Sequence, residues 1–337
     1  MSELRHDPFT RGWVIVAPQR SNRPHQVSLP AAPPPPPPRH VPACPFCPGR
    51  ELDTPPELWR AAGAGGQWQV RVVGNRFPAL AGTGRPRRRV EGHGFLAMDG
   101  LGHHEVVIES PRHDWDPATA EAAEVRRVLE AYRARYRALQ DERPGVILPF
   151  RNHGAAAGTS LPHPHSQIVK TPVVPLRLRQ LLDVARAYYD DRGACLYVEV
   201  AEQELADGSR VVLATPELVA FQPFASASPH ETWIMPRVHQ ASFGEVADQT
   251  LDALAGTLRA VLAGLSGLLG DPDYNYVVHS APVGEERTEY FLWHVQILPR
   301  LQVPAGFELG SGMAINPSLP EATAAALRDA IGEVGQR

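Results

Sequence analysis

One order of elements occurs twice in this 337-residue chain, and any fold that accommodates it must be assembled from two like halves. In the first half Glu105-Val106-Val107-Ile108-Glu109-Ser110 reads as a strand ending at Pro111, and residues 118–140 carry Val125, Leu129, Tyr132, Tyr136 and Leu139 at helical spacing. Val146 to Phe150 then reads as a strand, and His163 to Val169 as another. In the second half Glu231 to Pro236 is strand-like, Asp248 to Leu269 has helical periodicity, Tyr274 to His279 is strand-like, and Trp293-His294-Val295-Gln296-Ile297 closes the set. The motifs match too: Ser110-Pro111-Arg112-His113 is echoed by Met235-Pro236-Arg237-Val238-His239, and His165-Ser166-Gln167-Ile168 by His294-Val295-Gln296-Ile297. A chain of this length exceeds one comfortable core, so the division expected is residues 1–170 and 171–337.

Other features narrow the classes of function. A formal net charge of −4 gives no general attraction to polyanions, so neither nucleic acid nor a membrane surface is expected as a partner. The polar opening Met1-Ser2-Glu3-Leu4-Arg5-His6-Asp7 lacks a secretory apolar core, and no run of about 18 consecutive apolar residues occurs, which leads to the expectation of a cytoplasmic protein. Lys170 is the only lysine, which excludes a Walker-type phosphate loop and makes Schiff-base chemistry a poor fit. The run Pro33 to Pro38 must be extended polyproline and reads as a surface spacer.

The chemistry concentrates near residue 165. His163-Pro164-His165 sets two imidazoles at i and i+2 on a strand-like segment, on the same side, with proline fixing the backbone between them. Upstream, Asn152-His153-Gly154-Ala155-Ala156-Ala157-Gly158-Thr159-Ser160 is a small-residue loop whose amides could approach an anion. Three readings of the histidine pair stand side by side: metal ligands, a nucleophile beside a phosphate loop, or a hydrogen-bonded structural pair. Cys44-Pro45-Phe46-Cys47 points to metal or redox chemistry, since three cysteines make no disulfide framework.

The run Asn152-x-Gly154-Ala155-Ala156-x-Gly158-x-Ser160-x-Pro162-His163-Pro164-His165-x-Gln167-Ile168 resembles the active-site signature of the galactose-1-phosphate uridylyltransferase family, a branch of the histidine triad superfamily. The resemblance extends through Asp7-Pro8-Phe9-Thr10, Trp13 to Pro18, Arg20, Arg23-Pro24, Cys44-x-x-Cys47, Glu204 to Arg210 and Pro229-x-Glu231-Thr232, nearly the whole chain. It implies an α+β fold of two histidine-triad-like half-barrel modules, with antiparallel sheets and flanking helices. It implies nucleotidyl transfer by a ping-pong route in which His165 takes the nucleoside monophosphate, Gln167 holds its phosphoryl oxygens and Ser160 contacts phosphate. Arg20, Arg23, Asn75, Phe77, Asn152, Gly158 and Phe307 fall at positions implied to contact substrate, and Cys44, Cys47, His113 and His163 match the ligands of a structural zinc.

Substrates implied are a nucleoside-diphosphate sugar with hexose 1-phosphate, or phosphate, as acceptor, in a homodimer. UDP-glucose–hexose-1-phosphate uridylyl transfer is the first reading. An ADP-sugar or NDP-sugar phosphorylase is an alternative, because Gly306 to Pro317 resembles the subgroup containing ADP-glucose phosphorylase; a dinucleoside polyphosphate hydrolase is another. A second family metal site would use Cys195, His239, His279 and His294, but Val198 and Gln296 replace expected ligands, so no metal is expected there.

Overall fold

The structure is a computed structural model describing residues 1–22, 37–63, 65–140 and 144–334, so Arg23 and most of the proline run lie outside the described residues. In chain order its elements are β1 (Glu3–His6), β2 (Trp13–Val16), β3 (Glu57–Ala62), β4 (Trp68–Gly74), β5 (Arg88–Glu91), β6 (Phe95–Met98), β7 (His103–Ile108), α1 (Ala122–Leu139), β8 (Val146–His153) and β9 (His165–Thr171). There follow α2 (Leu176–Arg192), α3 (Leu196–Asp207), β10 (Val211–Ala214), β11 (Leu218–Phe221), β12 (Thr232–Pro236), α4 (Asp248–Leu269), β13 (Tyr274–His279), β14 (His294–Pro299), α5 (Gly306–Ser311), β15 (Ile315–Asn316) and α6 (Pro320–Val334).

Ten strands form one antiparallel sheet in the order β10-β11-β12-β14-β13-β8-β9-β7-β4-β3. Outward from β8 come β9, β7, β4 and β3; outward from β13 come β14, β12, β11 and β10. The repeat read from the sequence is therefore a two-fold arrangement about the β8–β13 seam, in which Tyr274 stands opposite His153 and Val277 opposite Phe150. Seam pairing stops at Phe150, next to Pro149, which has no N–H to offer.

Alternation along the strands gives the sheet two different faces. One carries Val70, Val72, Val107, Ile147, Ile168, Ile234, Val295 and Ile297 and is covered by α1 and α4 in a single core. On α1 the buried Val125, Val128, Leu129, Tyr132, Tyr136 and Leu139 recur at helical spacing, and Glu121 with Glu124 closes a capping box at its start. That helix begins at 122, later than expected, because Asp116 Oδ1 accepts the Ala118 N–H and holds the preceding residues in a turn. By length and composition α4 could cross a bilayer, yet Leu251, Leu254, Leu258, Val261, Leu262 and Leu265 are buried in this core.

The opposite face differs between the halves. In the second half α2 and α3, together with Phe9, pack onto Val219, Phe221, Trp233 and Met235. In the first half Val146 and Leu148 of β8 join that core, and farther out the face carries a small cluster of Cys44, Phe46, Cys47, Trp68, Val73, Val106 and Ile108. The N-terminal hairpin cuts across the 170/171 division. β2 pairs with β15, Arg5 bonds Glu321 at 2.8 Å and the Phe224 carbonyl at 2.9 Å, and Phe9 stacks on Trp233.

A buried ion pair lies beside the seam. Arg151 Nε donates to Glu109 Oε2 at 3.0 Å and its Nη1 to the Tyr274 hydroxyl at 2.6 Å, with the charged side chains 3% and 1% exposed. Burial opposes the guanidinium charge, but Glu109 beside it holds Arg151 protonated far above the ordinary range. Arg151→Ala leaves the Glu109 carboxylate buried and unpaired and is predicted to cost about 3–5 kcal/mol in denaturant unfolding, whereas Glu109→Gln with Arg151→Met recovers most of it. Wild-type stability in Arg151→Ala would contradict this account.

Burial also keeps three second-half imidazoles neutral, pushing His230 and His279 down to about 4 and His294 well below its usual range. Between about pH 6.5 and 4 the unfolded chain binds protons that these native rings refuse, so stability falls as pH falls, by about 1.4 kcal/mol per unit for each ring. Thermal melting followed from pH 7 to 4 is predicted to show that decline, and His279→Gln with His294→Gln to flatten it. An unchanged slope in the double variant would be the contrary result.

Candidate active site

The site assembles where the turn 154–164 enters β9. The strand starts at His165, not at the expected His163, because His163 lies in the turn with its ring drawn into a buried cluster. His163 Nδ1 lies 3.6 Å from both Cys44 Sγ and Cys47 Sγ and 3.2 Å from His113 Nδ1, while Cys47 Sγ is 3.5 Å from His113 Nδ1. His163 Nε2 donates to the Ser110 carbonyl at 2.9 Å, which leaves Nδ1 as the free lone pair facing the sulfurs. Burial lowers His163 to about 4, lowers His113 and raises the Cys47 thiol. Four donor atoms of these types, all buried and mutually close, could hold a metal ion.

The His163 carbonyl accepts the Nδ1–H of His165 at 2.9 Å. This fixes the ring and its tautomer and leaves Nε2 without a protein hydrogen bond among the described residues. His165 is 8% exposed and meets the edge of the Phe46 ring, with centroids 5.7 Å apart. It opens onto a cavity of about 420 Å³ lined by Phe46, Asp53, Thr54, Val73, Asn75, Arg76, Phe77, Val106, Ser160 and Gln167 among others. Across the sheet Val106 stands opposite Gln167 and Ile108 opposite His165, so β7 and β9 present this surface together. An oriented imidazole with a bare nitrogen, a side-chain amide two residues on and a hydroxyl at the rim form an arrangement able to attack phosphorus and hold its oxygens.

Of the residues singled out in the sequence, the structure brings Ser160, His165, Gln167, Asn75 and Phe77 to one cavity, and Cys44, Cys47, His113 and His163 to one cluster beside it. Asn152, Gly158, Arg20 and Phe307 do not line that cavity. Three of the loop amides expected to face an anion are satisfied within the protein: Ala156 N–H donates to Asp273 Oδ2 at 2.5 Å, Gly158 to the Ala155 carbonyl at 3.0 Å and Thr159 to the Gly154 carbonyl at 3.2 Å. Asn152 holds the loop, its Oδ1 accepting from Asn275 Nδ2 at 2.9 Å, and that same donor reaches the Ala157 carbonyl at 2.9 Å. Gly154 has φ +82° and any Cβ there would collide with the Asp273 carboxylate.

Sequence reading missed Asp53, Thr54 and His104. The first two sit in a turn without regular spacing. His104 precedes the strand read from Glu105, and only the strand register, which places it opposite Val169 and beside Gln167, discloses its position.

The second half holds a counterpart whose histidine is buried. His294 begins β14 as His165 begins β9, and its Nδ1 bonds the Leu292 carbonyl at 3.0 Å. Its ring is only 1% exposed, stacked against Trp233 and His279 with centroids 4.7 Å away in each case. Cys195 lies in the apolar cluster under α2.

Comparisons with known proteins agree with this geometry. The N-terminal domain of galactose-1-phosphate uridyl transferase matches residues 1–175 and the C-terminal domain residues 182–311. An ADP-glucose phosphorylase of Arabidopsis thaliana is 35% identical over 97% of this chain and 92% of its own length. A galactose-1-phosphate uridylyltransferase of Thermotoga maritima is 29% identical over 99% of this chain and all of its own. Among solved structures, an Arabidopsis thaliana ADP-glucose phosphorylase with bound ADP-glucose superposes with a TM-score of 0.82 at 32% identity over 98% of both chains, and a uridylyltransferase with 0.75 at 31% over 99% of both. Matched along its length in both domains and in fold, the chain belongs to the galactose-1-phosphate uridylyltransferase family of enzymes.

Proposed function

We propose that this chain moves a nucleoside monophosphate from a nucleoside-diphosphate sugar to a phosphate acceptor by way of His165. The observation that carries the reading is the bond from His165 Nδ1 to the His163 carbonyl, which turns an unbonded Nε2 toward the cavity. In the first step the Nε2 lone pair forms a bond to the α-phosphorus, and the bond from that phosphorus to the bridging oxygen breaks. Hexose 1-phosphate departs with the electron pair. In the second step an acceptor phosphate oxygen bonds to the same phosphorus and the N–P bond breaks, restoring the imidazole. Gln167 Nε2 and Ser160 Oγ supply donors to the phosphoryl oxygens, and Asn75 with Phe77 receives the nucleoside in the same cavity.

We assign ADP-glucose, or a close ADP-sugar, as donor and inorganic phosphate as acceptor, supported by the full-length similarity to an ADP-glucose phosphorylase. Uridylyl transfer to hexose 1-phosphate is the second reading, supported by the full-length similarity to the Thermotoga maritima enzyme. We assign zinc to the Cys2His2 cluster. Bonds of about 2.3 Å to sulfur and about 2.0–2.1 Å to nitrogen give tetrahedral S···N edges of about 3.6 Å and N···N edges of about 3.3 Å. The distances here are 3.5–3.6 Å and 3.2 Å. Such an ion is structural and pins the turn that carries the His163 carbonyl. The module boundary at 170/171, a homodimer and a cytoplasmic location, the last in keeping with three free cysteines, complete the proposal.

Intact-mass spectrometry after incubation with ADP-glucose or UDP-glucose, acceptor omitted, is predicted to reveal one adenylyl group on the chain with the first donor and none in His165→Ala. An adduct that survives His165→Ala, or phosphate-dependent exchange of label in that variant, would remove His165 from the reaction; a uridylyl adduct alone would select the second reading.

Metal analysis is predicted to find about one zinc per chain. Cys47→Ser loses it and lowers the melting temperature by several degrees, because a structural site contributes folding energy directly. Full zinc content in Cys47→Ser would contradict the assignment.

A further inference from the structure

We infer that His104 is a positioning residue that sets which end of the Gln167 amide faces the phosphoryl group. This rests on the role of Gln167 proposed above. His104 lies on β7, half-buried, and its two ring nitrogens meet different partners. Nδ1 is 3.1 Å from the Ala79 N–H, and Nε2 is 2.6 Å from Gln167 Oε1. A backbone N–H is always a donor, so Nδ1 is the acceptor and the proton resides on Nε2, which donates to Gln167 Oε1. With its oxygen so held, Gln167 turns its NH2 toward the cavity, where a donor is required.

Asn75 does not upset this assignment. Its Oδ1 accepts the Phe77 N–H at 2.8 Å, so its NH2 faces Nε2 at 3.1 Å as a second donor group. The alternative Nδ1–H tautomer would satisfy that one contact while setting donor against donor at Ala79, which cannot turn.

The second half supplies an internal comparison. Val106 stands opposite Gln167 in the β7–β9 register, and Trp233 opposite Gln296 in the β12–β14 register. Counting back two residues from each, the counterpart of His104 is Glu231. Glu231 Oε1 accepts from Gln296 Nε2 at 2.7 Å, and Gln296 Oε1 lies 3.1 Å from His279 Nε2. There the amide nitrogen is held by Glu231 and the oxygen lies against His279, the reverse of the orientation at Gln167. A donor at this position leaves the amide NH2 free, and an acceptor takes it up. Only the first suits a phosphoryl group, so the second-half pocket of about 680 Å³ is not a second transfer site.

The test uses the full-length protein. Nitrogen NMR of the wild-type imidazoles, with His104 assigned by difference from His104→Gln, is expected to find protonated Nε2 and unprotonated Nδ1; an Nδ1–H tautomer overturns the inference whether or not the chain turns over. His104→Glu is expected to reverse the amide and lower kcat for hexose 1-phosphate release from ADP-glucose by about 10²–10³-fold, with KM within a few-fold, as for loss of one donor to a developing charge. His104→Gln, whose amide nitrogen occupies the place of Nε2, is expected to stay within about tenfold of wild type. In a Gln167→Ala background His104→Glu is expected to add little further loss. A wild-type rate in His104→Glu, or a loss undiminished without Gln167, overturns it. Absence of nucleotidyl transfer in the wild type counts against the proposed function alone and leaves the tautomer measurement to decide this inference.

Discussion

Three contacts made by one residue carry the site. The His163 ring reaches into the cysteine cluster through Nδ1 and ties to Ser110 through Nε2, while its carbonyl receives the His165 proton two residues later. A displacement of this turn therefore disturbs the cluster and the His165 tautomer together. Proline on both sides, Pro162 and Pro164, removes the backbone donors and narrows the conformations open to the turn. Rigidity here comes from the buried cysteine–histidine cluster and proline and not from a large packed core, for the nearby apolar cluster is small.

The two-fold sheet makes each half a condition for the other. Asp273 and Asn275 come from the second half, yet they hold the loop that leads to His163 and His165 in the first. The buried Arg151 reaches both Glu109 of the first half and Tyr274 of the second. The halves have meanwhile diverged on their exposed face. α2, α3 and the N-terminal hairpin pack onto the second, while the first keeps the cavity beside His165.

Much of this was legible in the residues. Apolar periodicity gave the central strands and both long sheet-covering helices, because those segments bury one face and must repeat it. The chemistry around His165 was legible because a histidine pair and a cysteine pair are rare and their spacing matters. In the loop from Asn152 to Ser160 the small residues signal a close approach, and the partner that Gly154 and Ala156 approach is Asp273, too distant in sequence to be read there. The strand beginning at 163 failed because cluster geometry overrode local alternation. α2 and α3 escaped notice since polar and apolar residues mix around them, and His104 since a register between strands is not written in either strand alone.

The seam also sets a problem of timing during synthesis. β8 is complete once His153 has been made, but its partner strand begins at Tyr274, roughly 120 residues further along the chain. At ribosomal speeds of about 5–20 residues per second, its outer edge stands unpaired for on the order of ten seconds, long enough for a foreign strand to add to it. Pro149 lacks the N–H such an intruder would need, and Arg151 places a charge midway along the strand. The features that later close the seam thus first protect the nascent chain from its neighbours.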